Sequence, residues 1–149
     1  MSDAKSVPID DGFCFACGPE NPVGMHLEFE NLGKDGVRAR TSLAPEFQGW
    51  RGIAHGGIAI SLLDEAMAHA AGYAGHRGVT ASMTVRFRKP VPLGRPLDVR
   101  GRVTWQRGTV LGVEADVRDA EGTLLLRGDG HFVSQGSVHD AVDRRNPGA

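Results

Sequence analysis

The chain carries His55-Gly56-Gly57 and, nine residues after the histidine, the pair Asp64-Glu65 inside an otherwise apolar run that includes Ile58, Ala59, Ile60, Leu62, Leu63, Ala66 and Met67. Carboxylates in such a run cost several kcal/mol unless they are paired or change protonation. At helical spacing Asp64 shares a face with Ile60, Met67, Ala68 and Ala71, and Glu65 with Ser61, Leu62, Ala68 and His69. Glu65 thus has a partner one turn on, whereas Asp64 has none on the helix. The unpaired acid is the better catalytic candidate; the alternative is that either acid caps a loop or meets an arginine from a strand. Gly56 and Gly57 would let a ligand approach the backbone, with their N–H groups free at the positive helix end. A carbonyl could be polarised there, and an acid two turns on could activate water or attack it.

These residues need elements to hold them. Gly56 to Ala74 gives the one strong helical signal, apolar on nearly every side, so a sheet must wrap it. Strands are expected over His26–Glu30, Gly36–Leu43 and Val79–Val91. Leu97, Val99, Gly101, Val103 and Trp105 alternate with polar residues, as do Leu111, Val113, Ala115 and Val117; Leu124, Leu126, Gly128, Gly130 and Phe132 give the last strand. Short turns at Arg107-Gly108 and Asp119–Gly122 make these three a meander. Two strands, one helix and four strands read as α+β, a curved antiparallel sheet around a central helix. Glycines inside the strands (Gly101, Gly112, Gly128, Gly130) suit bends and close approaches.

At 149 residues the chain fits one domain, expected over 12–133, with loose polar segments at 1–11 and 134–149. A net charge of -1 argues against nucleic acid as a partner, and no apolar run approaches membrane-spanning length. Two cysteines and a polar N-terminus lead to the expectation of a soluble cytoplasmic protein. Cys14-x-x-Cys17 could hold zinc or do redox chemistry, but there is no second such pair; His26 is a possible third ligand and no fourth is evident. The pair reads as two half-buried residues in a turn, and no metal or cofactor is expected. His69 and His76 read as structural, His131 as surface and Trp105 as core.

His55-Gly-Gly-x6-Asp64-Glu65-Ala66, followed by Ser82-Met83-Thr84-Val85-Arg86-Phe87-Arg88-Lys89-Pro90, resembles the hot-dog-fold acyl-CoA thioesterases of the phenylacetate-pathway (PaaI-like) type. Cys14-Phe-Ala-Cys17-Gly-Pro-Glu-Asn21-Pro-x-Gly24-Met25 resembles the N-terminal segment of the branch that includes thioesterase-superfamily member 4. The likeness runs in order over about residues 13–133. It implies a helix wrapped by a sheet, and hydrolysis of an acyl-CoA or aryl-CoA thioester to CoA and a carboxylic acid. Asp64 would activate water or attack the carbonyl, the Gly56 N–H would polarise it, and His55 would shape the turn. Gln48 is the nearest match to a water- or substrate-holding amide. Thr80 falls where a Ser or Thr from the next strand approaches the site, and would come from the partner chain of a homodimer or dimer of dimers.

Substrate contacts are expected from Gly57, Glu65, Trp50 (over an acyl or aryl tail) and Ser82. Arg86, Arg88, Lys89 and Arg107 would meet the coenzyme phosphates, if they are not simply solvated sheet charge. Arg86 and Arg88 would share a strand face, with Arg107 in a turn nearby. Two other readings stand beside this one. A hot-dog hydratase or dehydratase would use a His–acid pair, but its characteristic segments have no counterpart here. A non-catalytic acyl-CoA-binding protein would carry a fused DNA-binding module, for which the flanks have no room.

Overall fold

The structure, a computed structural model, describes residues 7–138. Helix α1 (Gly56–Tyr73) is the only long helix among them, and a six-stranded antiparallel sheet curls around it. The strands are β1 (Glu30–Asn31), β2 (Val37–Thr41), β3 (His76–Phe87), β4 (Leu97–Arg107), β5 (Val110–Asp119) and β6 (Leu124–Ser137), in the order β1-β2-β4-β5-β6-β3. The meander of the last three strands is formed as its alternation predicts, and β3 returns to pair with β6.

The helix buries Ala59, Leu62, Leu63, Ala66, Met67 and Ala71 in one core with Val99, Leu111, Val113, Val117, Leu126 and Phe132 from the sheet. Small residues allow this close fit. A Cβ at Gly101 would lie 2.6 Å from the Ala66 carbonyl oxygen, so only glycine lets β4 pass so near the helix backbone. Ala74 caps the helix and Gly75, at φ +98, turns the chain into β3.

Four boundaries differ from the expected ones. Residues 26–29 are not a strand: Met25 and Leu27 donate their N–H groups to Phe15 and Ala16, so this segment folds onto the Cys14–Cys17 turn. β3 begins at His76 and ends at Phe87, where Arg88 and Lys89 both donate to the Leu125 carbonyl and the chain leaves the ladder before Pro90. β6 runs on to Ser137, opposite His76, so residues 134–137 belong to the sheet rather than to a tail. Trp105 is 45% exposed, not core, because a bulge between Val103 and Trp105 turns it outward over Gly112. The segments 1–6 and 139–149, expected to be loose, lie outside the described residues.

Candidate active site

The turn before α1 is built by local bonds. Gln48 bridges to Ala54, the His55 N–H donates to Phe47 O at 2.8 Å, and Ile53 bridges to Pro92 beyond β3. His55 caps the helix: its Nδ1 accepts from the Gly57 N–H at 2.9 Å, which fixes that nitrogen as unprotonated. The expectation of two free glycine N–H groups is therefore corrected. Gly57 is committed to the cap, and Gly56 keeps its donor for a ligand. Open space faces Gly56, since a Cβ there would come no nearer than 4.0 Å to Phe87 Cζ. Gln48 spends Oε1 on the Gly52 N–H at 3.0 Å, holding the loop, and its amide nitrogen is the group left for a substrate.

Asp64 finds its partner on β3. The Thr80 hydroxyl donates to Asp64 Oδ1 at 2.6 Å. Both residues belong to the same chain, so Thr80 does not come to Asp64 from a partner; the two reach a site together. A bulge at Ala81 explains why Thr80 alone reaches the acid. Thr80 stands opposite Phe132, whose ring is in the core, whereas Ser82 stands opposite His131 on the outer face and bonds its Nδ1 at 3.0 Å. Without the extra residue the two hydroxyls would share a face; with it, Ser82 is directed away from Asp64. No basic side chain pairs with Asp64 among the described residues.

Glu65 turns to the other side of the helix. Its Oε1 lies 3.1 Å from His69 Nε2, the pairing expected from their spacing, and accepts from Cys14 Sγ at 3.6 Å. Burial pushes the Glu65 carboxyl up, but hydrogen bonds from His69 and Cys17 outweigh it and hold the group below its ordinary value. The same closeness, with burial as the larger cause, pushes the Cys17 thiol up. This group lines a cavity of about 630 Å³ with Pro8, Ile9, Tyr73 and Arg77, so residues 8–11 flank the helix rather than standing apart from the domain. Glu65 thus belongs to the Cys14–Cys17 cluster and not to the Asp64 site. Sequence reasoning missed this because the contact spans 51 positions; the signal available was a Cys-x-x-Cys pair with no ligand beside an acid inside an apolar helix.

One distance limits what a single chain can do. Eight residues of helix separate Gly56 from Asp64, about 12 Å at 1.5 Å per residue. A carbonyl on the Gly56 N–H is beyond the reach of the same chain's Asp64, so the expectation of a two-turn reach is corrected. The basic residues are likewise split. Arg86, Arg88, Lys89 and Arg107 are all exposed, without an ion pair among the described residues. Arg107 lies opposite Val110, which pairs with Val133, while Arg88 bonds Leu125. Eight residues along β6 is about 26 Å, so Arg107 is not near the other three in one chain. Arg88 lies past the end of β3, so the ladder does not fix it on the Arg86 face. Trp50 is 84% exposed.

Comparison with known proteins agrees with this architecture. The profile of the thioesterase superfamily matches residues 51–126, which include the glycine turn, Asp64 and Thr80. The bovine (Bos taurus) acyl-coenzyme A thioesterase THEM4 is 30% identical over 121 residues, 80% of this chain and 50% of its own length. The chain therefore spans about half of that relative. A solved thioesterase superfamily protein superposes with TM-score 0.78 at 31% identity, over 82% of this chain and 60% of its own. The Escherichia coli PaaI protein from the phenylacetic acid degradation operon (TM-score 0.70, 18% identity, 76% and 82% coverage) shares the fold. So does a Streptococcus mutans protein solved bound to acetyl CoA (TM-score 0.69, 21% identity, 74% and 90% coverage). The helix-in-sheet wrap is the hot-dog fold, and by the profile match over half its length the chain belongs to the thioesterase superfamily.

Proposed function

We propose that the protein hydrolyses acyl-CoA or aryl-CoA thioesters to CoA and a carboxylic acid, with Asp64 as general base. The observation that carries this is the Asp64 carboxylate, set in an apolar helix, held by the Thr80 hydroxyl at 2.6 Å and facing no basic side chain among the described residues. With Oδ1 fixed by Thr80, Oδ2 takes a proton from water as its oxygen attacks the thioester carbonyl carbon. The developing oxyanion is met by the Gly56 N–H. The C–S bond then breaks and the CoA thiolate leaves, recovering the proton from Asp64.

The spacing of Gly56 and Asp64, about 12 Å along the helix, supports a site made by two chains. We place the pairing at β3, an edge strand of 12 residues with Val79 and Phe87 exposed at 42% and 50%. A homodimer through this edge, which could pair again as a tetramer, would bring one subunit's Gly56, His55 and Gln48 to the other's Asp64 and Thr80. Arg86, Arg88 and Lys89 are the cations we assign to the CoA phosphates, and Trp50 to the acyl or aryl tail. Two free thiols suit the reducing cytoplasm, where acyl-CoA substrates are found. A hydratase that used His55 as its base would find no free lone pair there: Nδ1 accepts from the Gly57 N–H, and the ring proton is then on Nε2.

The test is hydrolysis of a panel of short, long and aromatic acyl-CoAs by the wild type and by Asp64→Asn. Turnover that falls about a thousandfold in the variant, with the fold intact, supports the reading. Equal turnover by both proteins overturns it.

A further inference from the structure

The Cys14–Cys17 turn is joined to α1 by a cluster that thioester hydrolysis does not use. Cys14 Sγ, Cys17 Sγ and a Glu65 carboxylate oxygen all lie within 4.8 Å of one another. Around a tetrahedral zinc with bonds of about 2.0–2.3 Å, ligand atoms stand roughly 3.3–3.8 Å apart. Closing from one spacing to the other needs about 1 Å, within the reach of side-chain rotation. We propose that Cys14, Cys17 and Glu65 bind a zinc ion.

Three features support a built site. The turn is pre-shaped: the Gly18 N–H donates to Cys14 O at 2.8 Å and the Cys17 N–H to Cys14 Sγ at 3.4 Å, the backbone-to-sulfur bond that steadies a thiolate ligand. Gly18 is obligatory there, since a Cβ would fall 2.3 Å from Cys14 N. Next, the carboxylate is aimed. His69 bonds Glu65 Oε1, the oxygen that Cys14 Sγ also meets, at 3.1 Å and is itself held by stacking on Phe29 at 4.6 Å, so the carboxylate is held in place beside the sulfur. Finally, the chemistry of the set is selective. Two sulfurs and one oxygen suit zinc, whereas magnesium and calcium prefer oxygen alone. His26, the other candidate ligand, is turned away onto Asn21 O at 2.7 Å.

Binding is written as Zn²⁺ plus two thiols and one carboxylate, giving the complex and two released protons. The fourth position would be filled by water from the adjoining cavity. The ion would fasten residues 14–17 to the helix one position from Asp64.

The test uses the full chain, reduced with a phosphine and freed of metal by a chelator, then titrated with Co²⁺ and with Zn²⁺ against a chromophoric competitor. The expected result is thiolate-to-cobalt charge-transfer absorption that Zn²⁺ abolishes at one metal per chain. Zinc should also raise the Tm of the wild type. Cys14→Ser and Cys17→Ser should remove the absorption and weaken zinc about a hundredfold or more, and Glu65→Gln about 10–100-fold, while Asp64→Asn binds as the wild type does. Absence of charge transfer in the reduced wild type, or equal zinc affinity in wild type and Cys14→Ser, overturns the proposal. Should the serine variants fail to fold, the wild-type cobalt titration and Glu65→Gln decide it, with far-ultraviolet circular dichroism as the folding control. None of these readouts depends on thioesterase activity.

Discussion

A carboxylate within an apolar helix must be held by something, and the two adjacent acids of this chain are held by different partners. Asp64 takes the Thr80 hydroxyl, and Glu65 takes His69 and the cysteines. Substitutions should separate them. Asp64→Asn should cut kcat about a thousandfold, whereas Glu65→Gln should leave metal-free turnover within about tenfold; steady-state kinetics on one good acyl-CoA checks the ranking, and the reverse order would transfer the chemistry to Glu65. With enzyme in excess over substrate in ¹⁸O-water, one turnover should place solvent oxygen in the product acid. Unlabelled acid would make Asp64 the nucleophile instead of the base. Gly56 allows an unusually clean test. It is the first helical residue, its own N–H is the proposed donor, and His55 before it has φ -55 and ψ 138, which a following proline accepts. Gly56→Pro should fold normally and lose about 10²–10³ in kcat.

At the scale of elements, contacts across the sheet decide what each strand can offer. The bulge at Ala81 sends Thr80 inward and Ser82 outward, and the bulge beyond Val103 exposes Trp105. Period-two patterning cannot register an inserted residue, so alternation placed Trp105 in the core, while the strands themselves were legible. Gly101 sits where β4 crosses the helix backbone. Gly101→Ala should cost about 1–3 kcal/mol and lower Tm by roughly 5–10 °C in a thermal melt, because the obstructing atoms are backbone and cannot move aside cheaply. Strand β2 is tied to β4 by Arg38, which donates to both oxygens of Asp98 at 3.0 and 2.6 Å. Burial pushes the Asp98 carboxyl up, but the bonds from Arg38 and Arg100 outweigh it and hold it below its ordinary 3.8. A depressed folded-state pKa gives stability that is present above the unfolded value and lost as pH falls through the folded one. Tm should therefore drop below about pH 3.8, and Asp98→Asn should flatten that acid limb in melts recorded across it.

For the whole molecule, the decisive question is how many chains make one site. If Gly56 and Asp64 act on one carbonyl from different subunits, mixing Gly56→Pro with Asp64→Asn should restore activity that neither has alone. Random pairing makes half the dimers hybrid, each with one intact site, so about a quarter of wild-type turnover should return after subunit exchange. No recovery in demonstrated hybrid dimers would put both groups in one chain's site. The sequence alone determined the helix, the sheet that must wrap it, the glycine turn and the pairing of Glu65 with His69, because periodicity and (i, i+4) pairing are local properties of the chain. Tertiary structure decided which N–H the histidine cap consumes, which hydroxyl reaches the acid, and that Cys14 and Cys17 meet Glu65. Those contacts depend on bulges and on chain reversals of up to 51 residues, and neither leaves a periodic trace in sequence.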